Sequence, residues 1–146
     1  MPVESHLTLI AKVIQLSVAP VFLLTAIGTM LAVLTGRLNR IVDRARVLEE
    51  RMASLPAKEQ CEIRTELSTL SRRSKWINTA ITLGTICALL ICSMIAAMFV
   101  GVFLSINLTD VVALLFVTAV FAFIGALLAF LREIFIAVKA LRIGMK

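Results

Sequence analysis

Apolar positions along the chain gather into three long runs without a single charged residue: Val13 to Gly36, Ile77 to Leu104 and Val111 to Leu131. The first holds 24 residues, which at about 1.5 Å each make a helix of about 36 Å, enough to cross a hydrocarbon core about 30 Å thick. The other two are of similar length, so the pattern predicts transmembrane helices over residues 13–36, 77–104 and 111–131, the last two joined by a short loop at 105–110. A cleaved leader has a shorter apolar region with its positive charge in front. Here the basic residues follow the first run, which predicts a retained anchor.

Upstream, in segment 1–12 and on into the first run, Ser5, Thr8, Lys12 and Gln15 recur every third or fourth residue among Leu7, Ile10, Val13, Ile14 and Leu16. One narrow polar stripe on an apolar helix predicts an external, interfacial segment, with Ser5 as its cap. Pro20 removes one backbone donor and frees the carbonyl of Leu16, which makes it the candidate hinge of one long bent helix.

Residues 37–75 are polar, yet Leu38, Ile41, Ala45, Leu48, Met52 and Leu55, then Ile63, Leu67, Leu70 and Ser74, keep steps of three and four through most of both halves. That is the seam of a coiled coil. Ser54, Leu55, Pro56 and Glu59 supply a stop and a restart, Pro suiting a helix's first turn and an acid complementing its dipole. The expectation is an antiparallel helical hairpin that packs against copies of itself. Trp76 marks the return to the membrane. Asn107 or Thr109 can cap the third span, with Asp110 in its first turn; an amphipathic tail, 132–146, follows it.

The side of the membrane follows from the basic residues. Ten lie in 37–75, four after Leu131, one in the N-terminal segment and none in 105–110. The excess of Lys and Arg in cytoplasmic loops then places the hairpin and C-terminus inside, and the N-terminus and short loop outside. The fold class expected is an all-α integral membrane protein with three transmembrane helices and a cytoplasmic antiparallel helical hairpin between the first and second.

Composition agrees: 60% of the 146 residues are hydrophobic and 16% charged, with a mean hydropathy of +1.02. Soluble domains are about half apolar. The net charge of +6 sits beside the apolar runs and not on a separate domain, which points to the anionic lipid heads of a bilayer and away from nucleic acid. Three cysteines without C-x-x-C spacing and one histidine predict neither disulfide, metal site nor cofactor. No run carries an ionisable residue at its centre, where coupled transporters place theirs. No phosphate-binding loop, nucleophile elbow or H-E-x-x-H pair is present, and the chain reads as no enzyme.

Two features remain as candidate sites. Small residues at four-residue intervals let membrane helices approach closely: Gly84, Ala88, Cys92 and Ala96 form one such seam, and Ala122, Gly125 and Ala129 belong to a second. On a helix of 100° per residue, Arg37, Arg40, Arg44 and Arg51 fall within about 60° of one another. Asp43 and Arg46 lie elsewhere, with Arg46 spaced to pair with Glu50. The arginine stripe is a candidate site for lipid heads, an anion or an unidentified cytoplasmic protein partner. Two functions fit. One is a homo-oligomeric assembly or regulatory scaffold with a basic cytoplasmic hairpin; the other is a homo-oligomeric channel, with anions as the candidate permeant, lined by hydroxyls such as Thr25, Thr29, Thr82 and Thr85, with arginine rings at its cytoplasmic mouth.

The pairing of APVFLLTAIGTMLAVLTGRLNRIVDRARVLEE (Ala19 to Glu50) with LSRRSKWINTAI (Leu70 to Ile81) resembles the uncharacterised bacterial integral membrane family catalogued as domain of unknown function 2721. The similarity runs from about residue 8 to 143, and NRIVDRAR is its most specific part. The resemblance implies the bacterial inner membrane and supplies no activity, substrate or catalytic residue.

Overall fold

The computed structural model describes residues 2–57 and 59–143, with side chains described for 7–57 and 59–139. Among these residues every regular element is a helix: α1 (Pro2–Ser54), α2 (Gln60–Leu104) and α3 (Thr109–Ile143). Each contains a stretch long and apolar enough to cross a membrane. The boundaries drawn at the charge transitions, near residues 36 and 76, are therefore not ends of elements. Nothing there breaks a helix, and a continuous ladder satisfies every backbone group in an apolar surrounding.

Two expected helix starts move. α1 begins at Pro2, so Ser5 lies within it and does not cap it; the side chains of Ser5, His6, Lys58 and Arg142 lie outside those described. α2 begins at Gln60 and not at Pro56, with Glu62 as the acid of its first turn. Pro56 instead shapes the connection, accepting a hydrogen bond from the Glu59 amide at 3.1 Å. At Pro20 α1 continues as one helix, and the proline is buried.

Contacts divide the chain into two units. In the unit formed by Met1–Met30 and Leu83–Ile124, the buried positions are Ser17, Pro20 and Ile27 on α1, Gly84, Cys87, Ile91 and Met94 on α2, and Ala119 on α3. The other unit, Leu31–Thr82 with Gly125–Lys146, buries Leu34, Ile41 and Leu48 on α1, Leu70, Ile77 and Ala80 on α2, and Ala126, Ala129 and Glu133 on α3. Within each helix these positions fall on steps of three, four or seven, one face of a helix. The expected seam of residues 38–74 lies wholly on that face: Ile41, Leu48 and Leu70 are buried and Leu38, Ala45, Met52, Leu55, Ile63, Leu67 and Ser74 half-buried. α3 meets its neighbours largely through alanine, which lets helix backbones approach closely.

The outward faces are also apolar, with Phe22, Leu89, Phe103, Leu114, Phe121 and Leu128 all well exposed. Only 17%, 17% and 11% of the most apolar stretches of α1, α2 and α3 are buried within the chain. Exposed patches on that scale require a non-aqueous or protein surrounding.

Both connections are tightly closed. Gln60 donates its side-chain amide to the carbonyls of Met52, at 3.3 Å, and Leu55, at 3.0 Å, so the first residue of α2 caps the end of α1. At the end of α2 the Ile106 amide reaches back to the Gly101 carbonyl at 3.1 Å, and Ser105 takes φ 52°. This is the six-to-one closure of a Schellman turn, with a serine where glycine is usual. A Cβ on Gly101 would stand 3.3 Å from the Ile106 carbonyl oxygen, so a side chain there would push the closure outward by a few tenths of an ångström. Asn107 Oδ1 then accepts from the Thr109 amide at 3.2 Å and from its hydroxyl at 2.7 Å, opening α3 with Asp110 in the first turn. A Cβ in the left-handed region costs about 1–2 kcal/mol. Ser105→Gly is therefore expected to stabilise the protein by about 0.5–1 kcal/mol after the added freedom of the unfolded chain is discounted, read as a raised unfolding midpoint.

Candidate functional site: an arginine cluster around a buried glutamate

Glu133 is the only acidic residue after Asp110, and it is fully buried, at 0% exposure. It lies on the inward face of α3, in step with Ala119, Ala126 and Ala129. A carboxylate without water survives only if its oxygens find charged donors. Oε1 accepts two hydrogen bonds from Arg73 of α2, from Nε at 3.1 Å and from Nη2 at 2.8 Å, and Oε2 accepts from Nη1 of Arg37 on α1. One residue from each helix thus meets at a single carboxylate. The arginine side chains remain 37% and 23% exposed for Arg37 and Arg73, so their outer faces stay available.

Two ring contacts flank this triad. Phe130, one turn before Glu133 on α3, lies under the Arg37 guanidinium at 5.5 Å from ring centroid to Cζ. Arg132 covers Trp76 at 5.4 Å. Both separations suit a cation over an aromatic face, and they hold the arginine stems at the edge of the uncharged runs.

The exposed sides of the arginines open onto a cleft of about 230 Å³ bounded by Arg37, Arg40, Arg44 and Arg73, with Ile41 and Leu70 as its apolar floor. Arg44 donates Nε to Glu66 of α2 at 3.0 Å. That pair is half-exposed, 51% and 44%, and contributes about 0–1 kcal/mol. Arg40 is exposed and makes no hydrogen bond or ion pair among the described residues. Arg46 and Glu50 do not pair; the bridge that forms is Arg44 to Glu66, because the facing α2 carboxylate lies beside the seam.

The structure therefore brings Arg37, Arg40 and Arg44 together and leaves Arg51 outside the cleft, in the last turn of α1. The small-residue seams divide differently. Gly84 is buried, Ala88 half-buried, and Cys92 and Ala96 are exposed; Ala122 and Gly125 are half-buried and Ala129 is buried. The hydroxyls of Thr25, Thr29 and Thr82 are exposed and donate to carbonyls of their own helix four residues back.

The family described as "Protein of unknown function (DUF2721)" matches residues 17–143, a stretch that includes every residue of the cluster. The chain belongs to that family. No curated protein and no solved structure matches it. In this DUF2721 chain the two members of the cluster that sequence reading missed are Arg73 and Glu133. Arg73 lies in step with Leu70, Ile77 and Ala80 on the buried face of α2, and Glu133 in step with the α3 alanines. That phase was the available signal: an ionisable residue at a core position just past an uncharged run needs a partner of opposite sign.

Proposed function

We propose that the chain is a non-catalytic, multi-pass protein of the bacterial inner membrane whose arginine cluster anchors a cytoplasmic helical pair to anionic lipid heads. The N-terminus lies outside and the C-terminus in the cytoplasm. The pair formed by residues 37–75 is a short coiled-coil platform on which copies of the chain assemble into a homo-oligomer and through which a cytoplasmic protein partner docks. One observation carries the reading. Four arginines gather on two helices where the uncharged runs of α1 and α3 end, the depth at which basic pockets between membrane helices meet anionic head groups.

The channel reading needs free guanidiniums around an axis. Arg37, Arg40, Arg44 and Arg73 instead converge on one cleft within a single chain, which favours the anchoring role over arginine rings.

Native mass spectrometry of the full chain with its lipids retained tests assembly. A discrete oligomer carrying anionic lipid is expected, and a lipid-free monomer at all concentrations would overturn the proposal. Orientation has its own probe in Cys61, which is free and exposed, whereas Cys87 is buried and Cys92 lies in an apolar run. A membrane-impermeant maleimide is expected to label Cys61 in inverted vesicles and not in intact spheroplasts; labelling in spheroplasts would reverse the topology.

A further inference from the structure

The cleft has more structure than a basic surface needs. A surface that merely attracts anionic lipid requires positive charge at the right depth and nothing else. Here Arg37 and Arg73 are fixed from behind by Glu133, Arg44 is fixed from the side by Glu66, and Arg40 has no partner among the described residues. Each guanidinium carries five N–H donors. Hydrogen bonds among the described residues engage one on Arg37, two on Arg73 and one on Arg44, leaving a converging set of donors already held in place. Holding donors before the ligand arrives removes much of the ordering cost of binding.

Charge states what such a set would take. Four guanidiniums face two carboxylates, Glu133 and Glu66, so two positive charges remain unbalanced. A phosphomonoester carries about −1.5 to −2 near neutral pH and offers three acceptor oxygens, whereas a phosphodiester carries one charge. Planar guanidinium donors match phosphate oxygens in pairs. The floor of Ile41 and Leu70, both buried, lowers the local dielectric and strengthens those contacts.

We propose that the cleft bounded by Arg37, Arg40, Arg44 and Arg73 is a binding site for one dianionic phosphate group, carried at the membrane surface as a phosphomonoester head or arriving as free phosphate. The site deepens the anchoring role and rests on its assignment of the cluster to a head-group depth. Arg40 is the recruiting residue, free until the phosphate binds, and Glu133 is the positioning residue that orients Arg37 and Arg73.

The test uses the full-length protein in detergent micelles, titrated with short-chain phosphatidic acid, phosphatidylglycerol, phosphatidylcholine or inorganic phosphate, with adducts counted by native mass spectrometry. One tight phosphatidic acid per chain is expected. Loss of a charge-assisted hydrogen bond weakens binding about tenfold or more, so Arg40→Gln is expected to show that loss. Arg51→Gln, the same charge change outside the cleft, is expected to change affinity less than about twofold, in line with an exposed, screened charge. Arg40 makes no hydrogen bond or ion pair among the described residues, so its variant is expected to unfold at the wild-type midpoint, which separates lost binding from lost fold.

Inorganic phosphate displacing the lipid would assign the site to free phosphate, and binding of the lipid alone would assign it to a head group. Equal losses in the Arg40 and Arg51 variants, or equal binding of phosphatidylcholine, would overturn the proposal. Failure of Cys61 labelling or of oligomer formation touches the anchoring role without touching this titration, so the two fail separately.

Discussion

Glu133→Gln is expected to cost about 3 kcal/mol of stability. Removing one partner of a buried ion pair costs about 3–5 kcal/mol, because the remaining charge is left without compensation. The lower end applies here because the stranded groups, Arg37 and Arg73, keep 37% and 23% of their side-chain surface and recover some hydration. Gln preserves the volume but puts an amide NH2 against guanidinium donors, so one of the two contacts turns repulsive. Arg73→Gln is expected to cost less, since Glu133 retains Arg37. Far-UV ellipticity is a poor probe because membrane helices stay helical in detergent. The fluorescence of Trp76, the single tryptophan, reports the Arg132 stack at 5.4 Å and is the signal of choice. A midpoint within error of wild type would show that the carboxylate is not the joint between the three helices.

The same triad makes a second comparison. A buried ion triad replaced by apolar groups of similar volume is often neutral or stabilising. Arg37→Met, Arg73→Met and Glu133→Leu together are therefore expected to be at least as stable as Glu133→Gln alone, while phosphate binding at the cleft is lost. Stability and binding would then separate in one protein: the carboxylate is costly to remove while its arginines stay and dispensable to packing once they are replaced with it, and its role is to orient those arginines.

The helical class and the membrane-crossing lengths were legible in the sequence because they depend only on where charge is absent. The seam of residues 38–74 was legible because its period is set by helix geometry, and those positions are all buried or half-buried. Element ends were less so. The start of α2 at Gln60 depends on an amide bonding back to Met52 and Leu55, a contact across the turn that no local propensity encodes. The site was half legible: Arg37, Arg40 and Arg44 share a face of one helix, but Arg73 and Glu133 arrive from α2 and α3, and pairing across 60 or 96 positions is invisible to a reading that moves along one helix at a time. Counting Glu133 with a polar tail hid it. Its phase with Ala126 and Ala129 placed it in the core.

Leu48→Ala is expected to cost about 3–4 kcal/mol and Ile27→Ala about half as much, although both sites are closed, at 3% and 0% exposure, and both changes delete three carbons. The difference lies in the solvent that the unfolded site meets. For Leu48, in the polar stretch, truncation loses both the transfer of three carbons from water, about 0.8 kcal/mol each, and the packing around the cavity, within a usual total of about 2–5 kcal/mol. Ile27 sits mid-run in the uncharged stretch 13–36, where lipid is as apolar as the core and no hydrophobic force drives helices together. Only the cavity contributes there, about 24 cal/mol per Å³ left empty. Unfolding midpoints of the two variants, read on Trp76 in one bilayer-mimetic micelle, give the ratio directly. Equal losses would mean that both residues face the same solvent on unfolding, and the assignment of residues 37–75 to water and 13–36 to hydrocarbon would fall together with the anchoring function built on it.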